Sequence, residues 1–135
     1  MQVEVLRLVP GEDLRLVLAR TLQQQPVQAA CVLSAVGSFT QAVLRYADQP
    51  EGATVPGPLE LVSLSGTLGV DGPHLHASVA DARGQVLGGH VMPGCIVRTT
   101  AEIVLAWLPE WQFRREVDPA TGYPELVARR LSNAS

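Results

Sequence analysis

The chain has 135 residues and a formal net charge of −3, with 47% hydrophobic and 17% charged residues. This length suits one domain, and the balance of apolar over charged residues excludes a disordered chain. No apolar run reaches the ~18 residues that a membrane-spanning helix needs, and no signal peptide pattern opens the chain. We therefore expect a single cytoplasmic domain over residues 1–135 that has no membrane partner.

Arginine supplies all ten basic residues, and only Arg114-Arg115 and Arg129-Arg130 are adjacent pairs. A net acidic protein has no general attraction for nucleic acid, so binding to DNA would need a local basic patch. Cys31 and Cys95 lie among apolar neighbours and lack CxxC spacing. We expect them to be buried, reduced thiols.

The first predicted elements are a short strand over residues 3–9 and one helix. Pro10-Gly11-Glu12-Asp13 opens the helix, with acidic side chains at its positive end. One apolar stripe follows at helical spacing, and Pro26 ends the helix; the stripe consists of Leu14, Val17, Leu18 and Leu22.

From residue 27 onward the pattern predicts strands separated by turns. A turn at Gly37-Ser38 divides an apolar strand over 29–36 from a second strand over 39–46, and residues 48–58 form a loop rich in proline. Further strands are predicted over 59–70, 74–80, 85–91 and 96–107. One helix on a mainly antiparallel sheet is an α+β domain. The tail from Pro109 carries Trp111, Phe113 and Tyr123, which suggests that it packs against something.

Turn chemistry predicts how the central strands pair. Asp71-Gly72 suits a two-residue loop, which would place Val70 opposite Pro73 and Thr67 opposite His76. One face of this hairpin would then be apolar and the other polar.

The next turn decides where the last histidine lies. Asp81 with Gly84 suits a three-residue loop with a bulge, which places His76 directly opposite His90, with their Cβ atoms about 5 Å apart. His74 lies on the same face, about 6.6 Å along its strand. A loop one residue longer or shorter would send His90 to the other face.

All three histidines of the chain would then meet at one place. Neutral imidazoles suit a divalent transition metal, zinc above all, and three of them leave a fourth position for water or a ligand. The alternative is three hydrogen-bonded histidines without a metal. Thr67 and Ser78 are candidate hydrogen-bonding partners of the metal ligands. Glu102 is a candidate general base, and the alternative for it is a surface or interface salt bridge. No residue is assigned as catalytic, and neither GxGxxG nor a P-loop occurs, so no nucleotide cofactor is predicted.

Six ordered motifs resemble the PPC domain, which is conserved in plants and prokaryotes. They are Pro10-Gly11-Glu12-Asp13 and the segments 32–38 (VLSAVGS), 60–68 (ELVSLSGTL), 74–78 (HLHAS), 88–90 (GGH) and 98–102 (RTTAE). The resemblance covers about residues 7–108, which it implies to be the core, and leaves residues 109–135 as a C-terminal tail. It implies an α+β domain, often trimeric, with a helix against an antiparallel sheet. Prokaryotic members are commonly described as DNA-binding proteins by extension from plant relatives that carry an AT-hook.

This sequence departs from the plant pattern in two ways. It has no Arg-Gly-Arg-Pro AT-hook, and it carries histidine motifs that the plant domains generally lack. We therefore expect a homotrimeric PPC-domain protein with a three-histidine site for a metal or small ligand, acting as a regulatory or DNA-associated protein that binds DNA only weakly. The alternative is a metal-dependent enzyme that works at the same site.

Overall fold

The computed structural model describes residues 1–132, which form eight β-strands and one α-helix. In chain order they are β1 (Gln2–Leu8), α1 (Leu14–Gln23), β2 (Ala29–Arg45), β3 (Ala53–Gly69), β4 (Gly72–Ala80), β5 (Val86–Val91), β6 (Ile96–Trp107), β7 (Trp111–Val117) and β8 (Pro124–Arg130). The predicted antiparallel sheet with one helix is confirmed. The α+β label fits only loosely, because the helix has ten residues and strands dominate.

Six strands form one antiparallel sheet in the order β1-β6-β2-β3-β4-β5. The sheet curls back on itself, because β5 also pairs with the far end of β2 through Leu44–Val91 and Arg45–His90. Strand β2 therefore contacts three neighbours. This closure brings β2 beside a histidine of β5, which is the feature of the fold that matters most for the site below.

The long strand β2 corrects one prediction. Gly37 and Ser38 do not form a turn, and the strand runs unbroken from Ala29 to Arg45. The glycine serves close packing instead, since a Cβ at position 37 would lie 2.6 Å from the carbonyl oxygen of Thr100. The loop predicted over 48–58 is also shorter than expected, because β3 begins at Ala53 and pairs with β2 there.

Helix α1 begins as its sequence predicts. The Asp13 side chain caps it by accepting a hydrogen bond from the Leu16 amide at 3.2 Å, and its second oxygen accepts one from the Gly94 amide at 2.7 Å. Leu14, Leu18 and Leu22 are buried against the sheet, and Val17 is partly buried against the same core. Among residues 1–132, no helix has the length and hydropathy needed to cross a membrane.

The C-terminal tail folds into a hairpin of its own, which the sequence did not predict. Strands β7 and β8 pair along their whole length. The hairpin crosses the end of β3, where the Val70 amide donates to the carbonyl oxygen of Phe113 at 3.1 Å. The tail thus packs on the domain, and it carries Arg115 to the polar face of β3 and β4.

Candidate metal centre

The hairpin of β4 and β5 places His76 directly opposite His90, as the turn chemistry predicts. Asp81 holds this turn, because its Oδ1 accepts hydrogen bonds from the amides of Arg83 and Gln85, both at 2.9 Å. Gly84 has a φ of +77°, a conformation that glycine adopts without steric cost. The predicted three-residue loop is therefore confirmed.

The hairpin of β3 and β4 differs from its prediction by two positions. Its loop is Val70-Asp71, so Gly69 lies opposite Gly72, and Thr67 lies opposite His74 rather than His76. A shift of two residues leaves the side chains from Ser63 to Gly69 on their predicted faces. An irregularity at Val62 changes the face of the residues before it, so Leu61 is buried opposite Val79. The apolar face remains buried, and both histidines of β4 remain on the polar face.

The three imidazole rings form a compact triangle. Their centroids are 5.2 Å apart for His74–His76 and His74–His90, and 5.6 Å apart for His76–His90. One nitrogen from each ring lies within 4.8 Å of the others. Nitrogen ligands on tetrahedral zinc are about 3.3 Å apart, so small side-chain rotations would bring these rings to metal-binding distances.

His74 and His90, the two half-buried histidines, favour the neutral form that metal ligation requires. Burial, and then the nearby Arg45 guanidinium, lowers the pKa of His90 to about 4. Burial also lowers the pKa of His74, assisted by Arg115 and His76 and opposed by Glu125. These rings therefore offer free lone pairs at neutral pH, with no proton for a cation to displace.

The other residues singled out in the sequence lie at different distances from the triangle. Thr67 is opposite His74, and its hydroxyl accepts a hydrogen bond from Arg115 at 3.3 Å. Ser78 follows His76 on the same face of β4, opposite Gly88. Glu102 is exposed on β6, and β2 and β3 separate that strand from β4 in the sheet. The structure thus brings Thr67 and Ser78 beside the histidines but not Glu102.

Three arginines near the triangle were not predicted from the sequence, namely Arg15, Arg45 and Arg115. Arg45 reaches it only through the pairing of β2 with β5, which joins segments far apart in the chain. Arg115 reaches it only because β7 folds over β3. The Arg114-Arg115 pair was visible in the sequence, but no local pattern indicated where it would lie.

A family profile now tests the resemblance drawn from the six motifs. The profile of the Plants and Prokaryotes Conserved (PCC) domain, which is the domain abbreviated PPC above, matches residues 1–109. The chain belongs to this family. The match stops before β7, so the hairpin that carries Arg115 lies beyond the part of the PCC domain that the profile describes.

Two curated relatives contain a segment similar to this PCC domain. Both are called bifunctional protein GlmU and come from Synechococcus strains: the one from JA-2-3B'a(2-13) is 57% identical over 126 residues, and the one from JA-3-3Ab is 53% identical over 135 residues. The matches cover 93% and 100% of this chain. The chain spans only about a fifth of the length of these relatives, 20% and 22% respectively.

Solved structures share the whole fold. A hypothetical protein from Salmonella is 42% identical with a TM-score of 0.92, over 96% of this chain and 94% of its own. The metal-containing protein AF0104 from Archaeoglobus fulgidus is 29% identical with a TM-score of 0.79, over 94% of each chain. A candidate DNA-binding protein from Ralstonia eutropha is 21% identical with a TM-score of 0.81, over 91% and 89%, and that likeness shows the fold alone.

Proposed function

We propose that this PCC domain binds one divalent transition metal, zinc, through His74, His76 and His90. The observation that carries the proposal is the triangle itself, with one nitrogen of each ring within 4.8 Å of the others. These are also the only histidines of the chain. A relative that is 29% identical is described as metal-containing, which supports the same chemistry here.

Under this proposal the domain acts as a metal-binding regulatory or assembly module. Support comes from the GlmU relatives, in which similar sequence makes up about a fifth of a larger bifunctional protein.

A metal-dependent enzyme is the second candidate. It is favoured by the donor set, because three nitrogen ligands leave a metal position at which bound water becomes acidic. The expected cytoplasmic location stays a prediction.

Calorimetric titration with zinc tests the metal centre. Wild-type protein that is stripped of metal with chelator and then dialysed should bind one zinc ion per chain. Removing one of three nitrogen ligands in His90→Ala should weaken binding about hundredfold, since each ligand carries a large share of the metal affinity. Gln85→Ala, on the same hairpin but away from the triangle, should bind as wild type. Absence of binding to the wild type, or equal affinity in His90→Ala, would contradict the proposal.

We also propose that the domain assembles as a homotrimer, which PCC relatives lead us to expect. The outer face of β1 and β2 supports association, because it exposes apolar side chains that a partner would cover. Val3 is 54% exposed, Val5 is 70% exposed and Val36 is 52% exposed. Sedimentation equilibrium should give three times the chain mass at micromolar concentration. A monomer mass under these conditions would contradict the trimer.

DNA binding by the domain alone is proposed to be weak and independent of sequence. The net charge of −3 and the absence of an Arg-Gly-Arg-Pro motif support this expectation. Fluorescence anisotropy with duplexes of different sequence should show micromolar or weaker binding that salt abolishes. Nanomolar, sequence-selective binding that resists salt would show the expectation to be wrong.

A further inference from the structure

Two arginines lie beside the histidine triangle: one is on β2, which pairs with β5, and the other is on β7, which reaches β3. Arg45 is opposite His90 in the pairing of β2 with β5, so the two side chains project from the same face of the sheet. Arg115 reaches over from β7 and donates a hydrogen bond to the Thr67 hydroxyl at 3.3 Å. Thr67 is in turn opposite His74. The two arginines therefore approach the triangle from two different strands, Arg45 at His90 and Arg115 at Thr67.

Arg15 adds a third positive charge at the same place. Its guanidinium donates to the carbonyl oxygen of Pro73 at 2.7 Å, immediately before His74 in the chain. All three arginines are half-buried. Within residues 1–132, the ion pairs are Arg114–Asp71 and Arg130–Glu110, so none of the three has a carboxylate within ion-pair distance.

These arginines place positive charge next to the rings, and within the described residues no carboxylate pairs with it. A divalent cation held by three neutral imidazoles would add two positive charges to this surrounding. Such a centre gains most from a ligand that brings negative charge with it.

We propose that the centre takes a small oxyanion, a carboxylate or phosphate group of a small molecule, held between the open position of the metal and Arg45 and Arg115. The inference rests on the proposed metal centre. A planar guanidinium offers paired donors that match the oxygens of carboxylate and phosphate. The hydroxyl of Thr67 fixes the direction of Arg115, and the carbonyl of Pro73 fixes that of Arg15, so these side chains are held in place before a ligand arrives.

A small ligand fits better than a nucleic acid. The three arginines come from β2, β7 and α1 and lie next to His90, Thr67 and Pro73 respectively, whereas a phosphate backbone is bound by basic side chains spread over many phosphates. The chain also carries a net charge of −3, which opposes a polyanion at longer range.

Cobalt(II) in place of zinc allows metal and anion binding to be measured separately. Visible absorption reports cobalt binding first, and its change on titration with inorganic phosphate, or with acetate, reports occupation of the open position. Wild-type protein should show a saturable change with at least one of these probes. Arg45→Gln and Arg115→Gln should each weaken it about tenfold or more, while binding cobalt at least as tightly, because each removes a charged donor and a repulsive charge.

Arg83→Gln is the matched control, since Arg83 lies at the exposed tip of the β4–β5 turn, five or more strand positions from His76 and His90. It should leave both affinities unchanged. If cobalt binds but neither anion changes its spectrum, or the arginine variants respond like wild type, the oxyanion proposal is wrong and the metal centre stands. If wild-type protein binds no cobalt, the metal centre itself fails. A short DNA duplex that changes the spectrum at lower concentration than phosphate would overturn the small-molecule assignment.

Discussion

The two hairpins that share β4 differ in what holds their turns. In the β4–β5 turn, Asp81 accepts two amide hydrogen bonds from its own loop, and Gly84 takes the positive φ that this loop needs. In the β3–β4 turn, the side chain of Asp71 faces outward to another element. It accepts the Arg115 amide at 2.8 Å and lies 3.8 Å from the Arg114 guanidinium.

This difference explains why one register was predicted and the other was not. A turn whose aspartate bonds to its own backbone is determined by a few adjacent residues, so the sequence reveals it. A turn whose aspartate binds a distant strand depends on contacts that local sequence cannot show. The histidine triangle needs the first kind of turn to align His90, and it tolerates the two-residue shift in the other hairpin because faces are preserved.

The strongest test of this comparison is to delete Gln85 while keeping the loop from Asp81 to Gly84. If the local turn sets the register, every later residue of β5 shifts by one position, and His90 comes to lie opposite Ala77 on the buried face. Metal binding should then be lost, as measured by calorimetric titration of protein whose fold is verified by circular dichroism.

The matched control for this deletion is Gln85→Ala, which preserves chain length and should bind zinc normally. Retention of metal binding by the deletion variant would show that the pairing of Val91 with Leu44, rather than the turn, aligns the strand. That outcome would reverse the distinction drawn between the two hairpins.

The same distinction separates what the sequence could predict from what it could not. Alternation along β4 predicts that both of its histidines share a face, and the Asp81 turn adds the third. Gly37 was misread as a turn, because its reason lies in the approach of Thr100 on another strand. Arg45 was missed for a similar reason, since only the closure of the sheet brings it to His90. Local chemistry was readable, whereas contacts between distant segments were not.

A smaller effect is expected from replacing each turn aspartate by alanine. Asp81→Ala removes two hydrogen bonds within the loop and should cost about 1–2 kcal/mol of unfolding free energy. It should also weaken zinc binding, because the hairpin that aligns His90 loosens. Asp71→Ala should cost about 1 kcal/mol and leave zinc affinity near the wild-type value.

Chemical denaturation and zinc titration of both variants provide the measurement. Hydrogen exchange adds a second reading, since Asp71→Ala should speed exchange in β7 and Asp81→Ala should speed it in β5. Equal losses of zinc affinity in the two variants would show that the turns do not differ in their hold on the site.

The last effect concerns pH in the metal-free protein, and it separates the contribution of His90 from that of the rest of the fold. Burial and Arg45 lower the pKa of His90 to about 4 in the folded chain, whereas an unfolded chain protonates this ring near its ordinary value of 6.5. As pH falls from about 6.5 towards 4, the unfolded state takes up the proton first, so the folded state loses stability. Solvent around the half-exposed ring moderates the loss.

Denaturation in chelator at pH 7 and pH 4.5 should therefore show a larger drop in unfolding free energy for wild type than for His90→Gln, which has no such proton to bind. Equal drops in the two proteins would mean that burial and Arg45 do not lower the pKa of His90 in the folded chain.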